Sequence, residues 1–141
     1  MVKTARGIRN CNPLNIRHSS VKWAGMSTEQ TDTDFVQFVD ILHGIRAAFV
    51  NLRTHLKQDA QVLKRTTVRQ EIARWAPASE NCVDAYVAFV CDPFFGLKDS
   101  EVLVFSNKNQ VCRLLYRMAW YECGHDIPFN LFEQAYEMAL R

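Results

Sequence analysis

The sequence predicts one mainly α-helical domain of the α+β class, with about five helices and one small β-hairpin, spanning residues 1–141. Apolar residues recur at intervals of three and four through most of the chain after residue 40, the period of helices with one buried face. Cap and breaker residues cut that pattern into short lengths. Strand character is confined to two short runs before residue 40, on either side of a polar stretch. A chain of 141 residues is one domain's worth of protein, in which roughly two thirds of the unfolded surface is buried.

Residues 7–20 are rich in Asn, Pro and Ser and follow neither period, so an ordered loop or a set of turns is expected there. Val21–Ala24 and Phe35–Val39 flank the polar stretch Ser27–Asp34 and read as a hairpin with a long loop. In Ile41–Lys57 the residues Ile41, Ile45, Ala48, Phe49, Leu52 and Leu56 form one stripe, which predicts a helix. Thr67-Val68-Arg69-Gln70 has the form of a capping box, so a helix should run to about Trp75 and stop at Pro77. The next helix should bury Val83, Tyr86, Val87 and Val90, capped by Ser79 or Asn81 and broken by Asp92-Pro93. Ser106 can cap a helix with Val111, Leu114, Leu115 and Met118 inward and Gly124 as its left-handed end. Pro128 starts a last helix holding Phe132, Ala135, Tyr136 and Ala139.

Hydrophobic residues make up 48% and charged residues 23%, which excludes a disordered or fibrous chain. No apolar run reaches the ~18 residues of a spanning helix, and the start of the chain has no export signal. Synthesis in the cytoplasm without a signal peptide, and no membrane span, are expected. Net charge is +2, too little to argue for nucleic acid, although Lys3, Arg6, Arg9, Arg17 and Lys22 all precede the first acid, Glu29. Five cysteines without paired spacing fit free thiols better than disulfides, and no ligand spacing points to a metal or a cofactor.

Gly7-Ile8-Arg9-Asn10-Cys11-Asn12-Pro13-Leu14-Asn15-Ile16-Arg17 resembles the opening G-I-R-N-N-N-P-x-N-I-R of a phage and prophage family of small virion or lysis-associated proteins with a lysozyme-like fold. Trp23-Ala24-Gly25-Met26 resembles its W-x-G-M step, and Gln30-Thr31-Asp32 with Phe35 and Phe38 its Q-x-D-x-x-F-x-x-F hairpin. Gly44-Ile45-Arg46-Ala47 is similar to its G-I-R-A helix, and Arg74 to Asn81 with Tyr86 to R-W-A-P-x-x-E-N-x-x-x-Y. The likeness covers residues 7 to about 90 and departs from the pattern at Cys11, where the family has Asn. A weaker similarity links Asn15-Ile16-Arg17, Trp23 and Phe38 to cell-wall glucosaminidases.

The resemblance implies peptidoglycan glycan strands as ligand, with glycoside cleavage of muramidase, transglycosylase or glucosaminidase type, or glycan binding alone. The residues suit it: Asn10, Asn12, Asn15 and Asn81 carry amides that match sugar hydroxyl and acetamido groups, Arg17 adds a cation, and Trp23, Trp75 and Tyr86 offer flat faces to pyranose rings. Each also has a structural alternative, as turn former or core aromatic. In lysozyme-like folds the acid is a glutamate at the end of a helix just before the hairpin, and here no acid precedes Glu29. The remaining carboxylates are Glu29, Asp32 and Glu80, of which Asp32 is the first candidate for acid and Glu80 suits a base or a cap. A non-catalytic virion or assembly protein of the same fold, partnered with phage virion components, is the second reading. A nucleic-acid module is the third. Without a signal, action at the cell wall or in a virion requires release from the cell.

Overall fold

In a computed structural model of the chain, the structure describes residues 5–76 and 82–141. Six α-helices make up most of it: α1 (Arg6–Arg9), α2 (Ile41–Gln61), α3 (Val68–Trp75), α4 (Val83–Val90), α5 (Lys108–Cys123) and α6 (Phe129–Ala139), with a 3-10 turn at Pro93–Phe95. The described residues are thus mainly helical and contain no β-strand.

Helix α2 begins where extended Asp40 accepts the His43 N–H at 2.9 Å, and it buries Ile45, Ala47, Ala48, Phe49 and Leu52. Most of its packing is against α6, whose Phe132, Ala135, Tyr136 and Ala139 are all buried as their spacing predicts. Helix α5 lies against α6, α4 and α1, with α3 on α4. The capping box of α3 is present in full: Thr67 accepts the Gln70 N–H at 3.2 Å and Gln70 accepts the Thr67 N–H at 2.9 Å. Gly124, at φ 74°, closes α5.

Several expectations are corrected. The cap of α5 is Asn107, which accepts the Gln110 N–H at 3.2 Å, so the helix starts one residue later than Ser106 would place it. Helix α4 has Cys82 at its N-cap position without a side-chain bond; Ser79 and Asn81 lie outside the described residues. Helix α1 falls inside the stretch expected as loop, because four residues are too few to display a period.

The hairpin is not formed. Val21–Ala24 is not a strand, and Phe35 and Phe38 instead make isolated antiparallel bridges to Arg17 and Met26. Backbone pairing is confined to a short stretch, where the Ser27 N–H donates to the Gln37 carbonyl at 2.9 Å and the Val39 N–H to the Gly25 carbonyl at 2.8 Å. Beyond it the Gln30 side chain takes over, accepting the Gln37 N–H at 2.8 Å and also donating to the Gln37 carbonyl at 2.8 Å, so the pairing does not continue as a ladder.

The loop before α2 is seated on that helix at Gly44. A Cβ there would lie 1.8 Å from the Cys11 carbonyl oxygen, a backbone atom that cannot turn aside. Gly44→Ala is therefore expected to destabilise the fold by ~3 kcal/mol or more, read as a fall in melting temperature, whereas Ala47→Gly on the same helix should cost only about 1 kcal/mol.

Candidate functional site

A groove of about 540 Å³, within the range of small-molecule sites, opens where the amino-terminal loop meets three helices. Its loop side runs from Leu14 to Ser19 and includes Val21, Trp23 and Phe35. Asn51 and His55 enter from α2, Arg74 and Trp75 from α3, and Glu122 from the last turn of α5. Glu122 is the only carboxylate among the described lining residues.

Glu122 is held on both oxygens. Asn15 Nδ2 donates to its Oε1 at 3.1 Å, and the Tyr86 hydroxyl donates to its Oε2 at 3.0 Å. Asn15 reaches it from a left-handed backbone at φ 53°, a conformation Asn tolerates better than most residues. Tyr86 is fully buried, and burial, reinforced by the nearby Glu122, pushes its hydroxyl well above the ordinary range, so it stays a donor. Sequence reasoning missed Glu122, because at the end of an amphipathic helix nothing local separates it from a solvated glutamate.

The structure divides the residues expected to bind ligand. Asn15, Arg17, Trp23 and Trp75 do line the groove. Arg17 also lies over the Phe35 ring, 5.0 Å from its centre. The indole N–H of Trp75 donates to the Leu14 carbonyl at 3.1 Å, which fixes the ring against the loop. Asn10, Asn12 and Tyr86 are buried and serve the fold instead. Asn12 donates to the Ile16 and Val36 carbonyls at 2.9 Å and accepts the Ile16 N–H at 2.9 Å, so its amide has no group left for a sugar. Asn10 donates to Asp32 at 2.9 Å. Asn81 lies outside the described residues.

The carboxylates first expected to be catalytic are also reassigned. Arg6 donates two bonds of 2.6 Å to Asp32, which further accepts from Asn10 and from the Asp34 and Phe35 N–H groups at 2.9 Å. The Arg6 guanidinium is the main influence holding this carboxyl far below the usual range, and Asp32 is not among the groove residues. It ties α1 to the loop and has no proton to give. Glu29 is exposed and also outside the groove, while Glu80 lies outside the described residues.

A second titratable pair meets the groove from the other helices. His55 Nδ1 is 2.6 Å from Glu71 Oε1, with the glutamate side chain fully buried and His55 about one fifth exposed (19%). Burial pushes the Glu71 carboxyl up, and the neighbouring His55 opposes the shift. Among the described residues no group of three or more His, Cys, Asp or Glu is arranged to hold a metal ion.

No established family profile matches the chain. It is similar to Protein P5 of Pseudoalteromonas phage PM2, with 39% identity over 93 residues. That alignment takes in 64% of this chain and 56% of the phage protein, so the chain matches little more than half of its relative's length. No helix among the described residues is long and apolar enough to cross a membrane.

The Asp32 geometry has a defined pH signature. A carboxyl depressed by folding contributes stability above its unfolded value, near about pH 4, and loses it as pH falls through the folded value. Asp32→Asn is expected to cost about 2 kcal/mol at pH 7, with parent and variant converging in acid below about pH 4. Melts of both proteins across pH 2.5–7 check it.

Proposed function

We propose that this is a phage-type lysozyme-like domain that binds peptidoglycan glycan strands in the groove and cleaves them with Glu122 as its acid. The observation that carries the reading is the position of Glu122: a glutamate in the last turn of a helix, beside Asn15, Trp23 and Trp75. The resemblance calls for a helix-end glutamate before the loop; here the helix-end glutamate beside the loop belongs to α5, which follows that loop in sequence. Asn15 and Glu122 are 107 positions apart in the chain.

The lining chemistry supports a sugar ring. Asn15 Oδ1 and Trp23 Nε1 are buried and have no hydrogen-bond partner among the described residues. Trp23 and Trp75 supply the apolar surface that sugar rings stack on.

The similarity to a phage protein fits release of the domain during lysis or its carriage in a virion. Within the cationic amino-terminal segment Arg6 is engaged by Asp32 and Asp34, which weakens a nucleic-acid reading further.

Turbidity assays on purified cell walls test the acid. The parent is expected to clear walls, and Glu122→Gln to slow clearing by ~10²–10⁴-fold while still sedimenting with them. In the same pull-down, Trp23→Ala should weaken binding more than Trp120→Ala, because Trp120 packs on Arg117 away from the groove. A parent that binds walls and never clears them makes this a binding protein, and equal binding by the two tryptophan variants removes the platform role of Trp23.

A further inference from the structure

A glycosidase that hydrolyses its substrate needs two proton-handling groups, one for the leaving oxygen and one for the incoming water. Glu122 is the only carboxylate among the described groove residues, so a second group is sought here among the other titratable side chains that line it; Glu80 lies outside the described residues. The groove's two histidines are His18 and His55. His18 is exposed and its Nε2 is 2.8 Å from the Asp32 carbonyl oxygen. His55 is backed by a buried carboxylate, presses edge-on against Trp75 with ring centres 5.9 Å apart, and has its Nδ1 engaged by Glu71.

We propose that His55 is the general base of the groove, held by Glu71 so that Nε2 takes the proton of the attacking water; this rests on the glycan-cleaving reading above. Glu71 Oε1 is 2.6 Å from Nδ1, and an ionised Glu71 there accepts the Nδ1 hydrogen, which puts the lone pair on Nε2. Helix α2 carries His55 and helix α3 carries Glu71, so the pair exists only where those helices pack. The charged groups around it are balanced: Arg74 of α3 lies 3.7 Å from Asp59 of α2, and Asp59 also accepts from the Thr66 hydroxyl.

The step balances. Glu122 gives its proton to the glycosidic oxygen as the anomeric carbon–oxygen bond breaks. The water oxygen bonds to that carbon, and its proton passes to His55 Nε2. The imidazolium is stabilised by the Glu71 carboxylate until its proton returns to Glu122 through solvent, and the net change is one water added across one bond. His55 touches the reacting water and is catalytic in that sense; Glu71 acts through it and is a positioning residue.

The test uses the full chain and purified walls, with released ends identified as hydrolysed or anhydro sugars. His55→Ala, melting close to the parent, is expected to lose roughly 100-fold in kcat with little change in KM, and added imidazole should restore at least ~10-fold. Glu71→Gln should lower kcat by less and leave KM unchanged. Unchanged kcat in His55→Ala, a loss that imidazole does not rescue, or exclusively anhydro products overturn the base, while a requirement for Glu122 would leave the glycan-cleaving reading standing. A raised KM with unchanged kcat in Glu71→Gln overturns the positioning role. A parent that cleaves no wall overturns both proposals. If His55→Ala does not fold, nitrogen NMR of the parent decides: binding of an N-acetylglucosamine tetramer must shift the His55 Nε2 resonance, and an unmoved resonance overturns the assignment.

Discussion

The buried side-chain amide of Asn12 joins two stretches of chain, closing its own loop at Ile16 and tying that loop to Val36. Every polar atom of the amide is used inside the fold, so the loop from Asn10 to Arg17 is shaped by internal bonds more than by regular structure. Its seat on α2 depends on the missing Cβ of Gly44, and Arg6 with Asp32 fastens its outer side. From that clamped loop Asn15 projects toward α5, and Leu14 presents the carbonyl that holds Trp75. Cys11 stands at φ 53°, in a region that favours Asn, the residue the resembling motif has there.

Three carboxylates of one domain are directed to three roles by their surroundings. Asp32 meets a guanidinium and two backbone donors and stays ionised as a fastener. Glu71 is fully buried against a histidine, with its second oxygen unpartnered among the described residues. Glu122 is oriented by one amide and one hydroxyl while its residue still faces the groove. Residue type is the same or nearly so in all three, and the difference lies in the neighbours that tertiary packing supplies.

Behind Glu122 the end of α5 is packed among aromatic side chains. Arg117 is buried in a cage of Phe89, Phe95 and Trp120, with its guanidinium 3.8 Å from the Phe95 ring centre, and it donates to the Phe89 carbonyl. Tyr86 and Tyr121 stack with centres 4.2 Å apart, beside the same turn of α5 that carries Glu122. The end of α5 is thereby fixed against α4, which fits a group that must stay in one orientation while a ligand comes and goes.

Most helices were legible in the sequence because they rest on local signals: the three-and-four period of α2 and α6, the Thr67–Gln70 box and the Gly124 stop each involve residues close along the chain. Trp23, Trp75, Asn15 and Arg17 were legible as groove residues for a similar reason, since each stands in a short pattern of distinctive residues. The shortness of the pairing around Met26 and Phe38 was not, because the Gln30 side chain takes the Gln37 N–H that a longer ladder would use, and no strand propensity describes that bond. Nor was the division of Asn10, Asn12 and Asn15 into two buried braces and one groove amide, as identical side chains differ only in which way the folded loop turns them. Glu122 and the His55–Glu71 pair were decided by tertiary structure alone. Their meaning comes from contacts across α2, α3, α5 and the amino-terminal loop, and contacts between residues far apart in the chain leave no period or spacing in it.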